Sequence, residues 1–149
     1  MTDKKQDTKL ESEGAEFLVL GHLLIEGISA YKAYVNFPGY DLTAVEPETN
    51  KTARIQVKSR WATDYDKSFP LKNLDCDFVV HVALNRGYRF RKKGKGDENE
   101  IQPPDFYIFP IDIISTARNE KGWNKVNIRK VDALDFYLNN WKLIKDFLK

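Results

Sequence analysis

Seven consecutive residues, Phe78-Val79-Val80-His81-Val82-Ala83-Leu84, form an almost unbroken apolar run rich in β-branched side chains. A run of that length predicts a strand, and one covered on both faces, because neither of its alternating sets of side chains is suited to water. The chain must then supply a layer on each side of a sheet, with this strand at the sheet centre.

The flanking sequence offers those layers. From Leu10 to Ile28 the spacing of Phe17, Leu20, Leu24 and Ile28 predicts an amphipathic helix ending near Gly27, with Ser12 as its N-cap and Glu13 and Glu16 in its first turn. Residues 1–9 are expected to be a disordered tail. Tyr31–Phe37, Tyr40–Val45 and Ala53–Trp61 read as a strand meander, broken by Pro38-Gly39 and by a turn over residues 47–51. Residues 62–76 give no assignment. Asn85–Asp105, with its glycines and prolines, is expected to be a long mobile connection, and Phe106–Phe109 a further strand closed by Pro110. Asp132–Lys149 reads as a second amphipathic helix, with Leu134, Tyr137, Leu138, Trp141, Ile144 and Leu148 on one stripe. The expected class is α/β, a mixed central β-sheet flanked by helices in one domain spanning residues 1–149.

Composition narrows the function classes. A chain of 149 residues with 42% hydrophobic and 31% charged residues is built like a soluble globular domain. Cys76 is the single cysteine, so neither a disulfide framework nor a zinc ribbon is available. The polar N-terminus and the absence of a spanning apolar run predict a cytoplasmic protein with no membrane partner. Net charge is only +2, yet Arg86, Arg89, Arg91, Lys92 and Lys93 gather in one acid-free segment interleaved with Tyr88 and Phe90, the make-up of a loop that clamps nucleic acid, or of a solvated hairpin tip. No G-x-S-x-G elbow, P-loop or Rossmann glycine fingerprint is present.

The stretch from Tyr40 to Arg60 carries the chemistry. If Ile55 and Val57 face the core, alternation puts Gln56 and Lys58 together on the other face. Asp41 then sits across the hairpin from them, and Glu16 lies on the margin of the helix stripe, where its carboxylate reaches the sheet edge. Two carboxylates, the Gln56 amide oxygen and the Val57 backbone carbonyl are hard oxygen donors that suit Mg²⁺ or Mn²⁺ better than Zn²⁺. With Lys58 beside them, phosphodiester hydrolysis is the reaction class this set supports. Ser59 and Arg60 continue the strand toward a phosphate backbone, or simply end it in solvent. Trp61 and Tyr65 line a substrate groove or pack in the core, while His22, on the polar side of the helix, and His81 are structural. Each site residue has a plainer role available: Asp41 capping the Pro38-Gly39 bend, Gln56 and Lys58 forming a solvated face, Glu16 serving the helix dipole.

Glu16, Asp41 and Gln56-Val57-Lys58 resemble the PD-(D/E)XK signature of the restriction-endonuclease-like nuclease superfamily. The stretches Gly14-Ala15-Glu16, Gly27, Tyr40-Asp41-Leu42 with Ala44, and Ile55-Gln56-Val57-Lys58-Ser59 are similar to archaeal Holliday-junction resolvases and group I intron homing endonucleases. The resemblance covers residues 12–60 and departs from the pattern twice: Gln56 replaces the usual acid, and Tyr40 replaces the proline. It implies a Mg²⁺- or Mn²⁺-dependent DNA endonuclease, acting on DNA that is perhaps branched, with Glu16, Asp41, Gln56 and Val57 on the metal and Lys58 activating. It also implies a homodimer, for which the C-terminal helix offers an interface. The other class of function compatible with Gln56 is a nuclease-fold binding or assembly module that has lost hydrolysis.

Overall fold

In the computed structural model, which describes residues 8–33, 40–63, 68–87, 101–119 and 121–149, a long N-terminal helix lies on one face of a five-stranded mixed sheet. The elements are α1 (Thr8–Ile25), β1 (Ser29–Lys32), β2 (Leu42–Val45), β3 (Thr52–Arg60), β4 (Phe69–Pro70), β5 (Phe78–Ala83), β6 (Asp105–Pro110), α2 (Ile111–Thr116), β7 (Arg118–Asn119), β8 (Lys125–Val126), α3 (Leu134–Tyr137) and α4 (Lys142–Phe147). The large sheet has the order β1-β2-β3-β5-β6, with β3 and β5 parallel and the other neighbours antiparallel. A small sheet, β4-β8-β7, stands apart. The mixed α/β sheet flanked by helices is the expected class.

Every residue of β5 is buried, and alternation explains why. Phe78, Val80 and Val82 face a core shared with Ala15, Val19 and Leu23 of α1 and with Trp141, Ile144 and Leu148 of the C-terminal segment. Val79 faces the opposite core, closed by Phe69, Leu71, Val126 and Ile128 around the small sheet. The strand is interior, as its apolar run requires, although the middle of the five is β3.

α1 begins at Thr8, so residues 8 and 9 belong to the helix, Ser12 lies inside it instead of capping it, and Glu13 and Glu16 come after its first turn. Residues 1–7 of the expected tail lie outside the described residues. Its buried stripe is Ala15, Val19 and Leu23; Phe17 and Leu24 are exposed. Small Ala15 shares a core with Ala44 and Ala53 of the sheet, which permits a close approach of helix to sheet that Phe17 would prevent. His22 packs its ring 4.4 Å from Phe106 and 5.6 Å from Trp141, so it is structural but not on the polar side. Gly27 closes the helix at φ 80°, with its N–H on the Leu24 carbonyl and the Ile28 N–H on that of Leu23, a Schellman arrangement.

The expected single C-terminal helix is two short ones. Between them the Asn139 N–H donates to the Phe106 carbonyl (2.6 Å), Asn139 sits at φ 53°, and Leu138 bridges Tyr107. Leu134, Tyr137 and Leu138 serve one core, and Trp141, Ile144 and Leu148 the other, so the segment must break where it passes the β6 edge. The described ends of the 85–105 connection are tied together: Arg86 bridges Ile101, and the Gln102 N–H donates to the Asn85 carbonyl (2.9 Å). Among the described residues, no helix is long and apolar enough to cross a membrane.

Candidate active site at the rim of the sheet

Asp41 is held from three sides just before β2. Its N–H donates to the Ile55 carbonyl (2.8 Å), its carbonyl accepts the Ala33 N–H (2.9 Å), and its Oδ2 accepts the Val57 N–H (2.8 Å). The register that sets Leu42 opposite Ile55 carries Asp41 opposite Gln56. Where the backbone pairing of β2 and β3 ends, a carboxylate oxygen takes over the ladder bond, leaving Oδ1 free of that contact.

Gln56 and Lys58 alternate with Ile55 and Val57, which lie in or against the core beneath α1. Lys58 is half-buried, in register with His81 of β5. Burial lowers its pKa, and the Asp41 charge opposes that shift, so Asp41 and Lys58 act on each other across the hairpin. The Gln56 amide oxygen stands 4.0 Å from the Cys76 Sγ. Burial, reinforced by the nearby Asp77 carboxylate, pushes the Cys76 thiol up to about 11. Cys76 is carried there by the turn at residues 75–77, which Arg54 grips: its N–H donates to Asp77 Oδ2 (2.8 Å) and its guanidinium pairs with Asp75 (2.7 Å) and Asp77 (3.4 Å).

Glu16 approaches from α1. Its side chain is 17% exposed, and its pKa rises to about 7, first through burial and then through the Asp41 charge. Lys32 on β1 works against that rise; its ammonium is 4.0 Å from Glu16, forms a closer ion pair with Glu13, and lies 4.2 Å from the Phe17 ring centre. Glu13 is 54% exposed and its pKa is lowered by that bond to Lys32. The acid facing Asp41 is therefore Glu16, and Glu13 occupies the flank.

The structure thus brings Glu16, Asp41, Gln56, Val57 and Lys58 to one rim. Arg60 extends from it, its guanidinium 3.4 Å from the Ser68 carbonyl, while alternation sends Ser59 to the opposite face from Lys58. Arg86 is exposed beside Trp61, both lining a cleft of about 530 Å³ with Leu10, Gly14, Leu18 and Leu84. Arg89, Arg91, Lys92 and Lys93, with Tyr65, lie outside the described residues. Lys32 and Cys76 escaped the sequence reading. The signal for Lys32 was its parity in β1, which turns it toward α1; nothing local announced Cys76, whose position depends on the Arg54 clamp.

The donor set fits a hard divalent cation. Two carboxylates close enough for one to raise the pKa of the other are relieved by a shared positive charge, and an amide oxygen lies beside them. Among the described residues no three His, Cys, Asp or Glu side chains cluster as ligands, so Gln56, backbone and water would complete the shell, as Mg²⁺ tolerates.

No known protein family matches the chain, and no curated protein sequence does. Its fold is similar to that of the bacterial homing endonuclease I-Ssp6803I, with a TM-score of 0.63 at 20% identity, covering 95% of this chain and 94% of that one.

Proposed function

We propose that this chain is a metal-dependent endonuclease that hydrolyses DNA phosphodiester bonds through a PD-(D/E)XK-type site. The observation that supports this most is the mutual electrostatics of Glu16, Asp41 and Lys58: paired carboxylates and a half-buried ammonium at one rim. The likeness of fold to a homing endonuclease, and the Gln-x-Lys spacing, agree with it.

Glu16, Asp41, the Gln56 amide oxygen and the Val57 carbonyl would hold Mg²⁺ or Mn²⁺, which supplies Lewis acidity toward a phosphate oxygen and lowers the pKa of a water. The Val57 N–H fixes the orientation of the Asp41 carboxylate, so the ligand is in place before the ion arrives. Lys58 sits two residues on and meets the scissile phosphate. Its ammonium hydrogen-bonds a nonbridging oxygen and neutralises the charge that builds up as water attacks phosphorus and the leaving oxygen departs. The Asp41 charge keeps that ammonium protonated against the pull of burial. Arg60, Arg86 and the basic residues of the 88–95 segment hold the flanking phosphates, with Ser59 at the strand end. Cutting both strands calls for two sites, hence a homodimer.

A plasmid-nicking assay with Mg²⁺ tests this. Cleavage that EDTA, Lys58→Ala and Asp41→Ala each abolish is the expected result; cleavage that survives both substitutions overturns it. Gln56, which withdraws one negative charge from the ligand set, favours a second reading as a binding or assembly module, and salt-sensitive DNA binding with no cleavage in wild type is its signature.

A further inference from the structure

α1 is apolar on two sides. At 100° per residue, Leu10, Gly14, Phe17, Leu18, Gly21, Leu24 and Ile25 share an arc of about 120° that contains no charged residue. That arc faces away from the core stripe of Ala15, Val19 and Leu23. Its five large side chains are 39% to 81% exposed, more than half of the exposed large hydrophobics among the described residues. A helix apolar all round belongs in an interior, and a contiguous exposed patch marks an interface.

We infer that this face of α1 is the contact between two copies of the chain, packed antiparallel across a two-fold axis near Phe17. Three observations carry the choice of occupant. The stripe Leu10, Gly14, Phe17, Gly21, Leu24 reads the same in both directions, so a two-fold axis at Phe17 sets Leu10 against Leu24 of the second copy and each glycine near the other, the self-complementarity an isologous contact requires. The steps alternate four and three, the spacing that keeps one seam facing another helix. A Cβ built at Gly14 or Gly21 meets nothing within 4 Å, so the surface over both glycines is open to a helix backbone.

Area is sufficient. At about 200 Å² per large apolar side chain, the five present roughly 600 Å² per copy, and a symmetric pair removes on the order of 1,200 Å² from water, within the range of specific interfaces. Beside Gly14 and Leu18 the cleft lined by Trp61 and Leu84 continues the patch and receives side chains from the second helix. The interface differs from the C-terminal one expected from sequence, since Trp141 and Ile144 are buried in the chain's own core. Glu16 precedes Phe17, so this pairing sets two candidate sites on either side of one axis. The pairing itself does not depend on nuclease activity.

Sedimentation equilibrium of the full chain, without DNA, gives the first test. The expected species has twice the 17.3 kDa of one chain, and Leu24→Glu and Gly21→Gln each raise the dissociation constant at least tenfold while retaining the wild-type circular dichroism spectrum. Cysteine pairing tests the direction: Phe17→Cys oxidises to a covalent dimer, Leu10→Cys alone does not, and a mixture of Leu10→Cys with Leu24→Cys does. Trp123→Cys, far more exposed, is the control that stays monomeric under the same oxidant. A wild-type monomer at high micromolar concentration overturns the inference, as does a dimer unaffected by both substitutions, or an α1 face protected only when DNA is added. If a substituted chain loses its fold, the cysteine pattern decides.

Discussion

The Asp41 carboxylate accepts the backbone N–H of Val57 at 2.8 Å, standing in for a strand carbonyl where the β2–β3 ladder ends. One side chain therefore has a structural and a chemical duty, and two substitutions separate them. Asp41→Asn retains an acceptor for Val57, while Asp41→Ala leaves that N–H unpaired at a cost of about 1–2 kcal/mol. Chemical denaturation is expected to show the loss for alanine alone. Nicking is expected to fall at least ~100-fold for both. Equal stability of the two variants would remove Asp41 from its structural role.

Glu16 predicts a pH dependence. Its folded-state pKa of about 7 lies above the ordinary carboxylate value, so the folded chain holds the proton more tightly than the unfolded one. The resulting stabilisation is present at low pH and is lost as pH rises through about 7. In EDTA, the wild-type chain is expected to lose about 1 kcal/mol more than Glu16→Gln between about pH 6 and pH 8. Mg²⁺ added at the higher pH is expected to restore stability to wild type and not to the variant. Parallel melting curves for the two proteins would refute the assignment.

Lys58 is expected to matter for chemistry and little for folding. Lys58→Met keeps the apolar stem and removes an ammonium that burial disfavours, so stability is expected to change by less than about 1 kcal/mol. Cleavage is expected to fall at least ~100-fold, with DNA affinity within about threefold of wild type. A variant that cleaves normally would transfer the charge-neutralising role elsewhere.

Cys76 reports on the clamp beside Gln56. With its thiol pKa near 11, its reaction with a disulfide reagent at pH 8 is expected to be ~100-fold slower than that of a free thiol, before burial slows it further. Asp77→Ala deprives the Arg54 N–H of its 2.8 Å partner and is expected to speed labelling while costing about 1 kcal/mol. Unchanged labelling would show that the 75–77 turn holds without it.

Much of this molecule can be read from short-range pattern. The all-apolar run of β5 announces two cores, the meander of β1 to β3 follows from turn residues, and the register placing Asp41 opposite Gln56 comes from strand alternation. Two elements resisted for related reasons. α1 carries apolar residues on two arcs, and periodicity says which residues share a face but not which face meets the sheet. The C-terminal stripe has helical spacing from Leu134 to Leu148, yet its halves serve different cores.

What the sequence determined by itself was therefore the kind of elements, their order, and the identity of the groups at Glu16, Asp41, Gln56 and Lys58. Tertiary structure alone decided the burial that lifts Glu16, the approach of Lys32, the placing of Cys76 beside Gln56, and the choice of Ala15 over Phe17 for the core. Local spacing is set by backbone geometry and is written in neighbouring residues. Burial and electrostatic environment arise from segments distant in the chain, whose packing free energies settle only when the whole fold is formed.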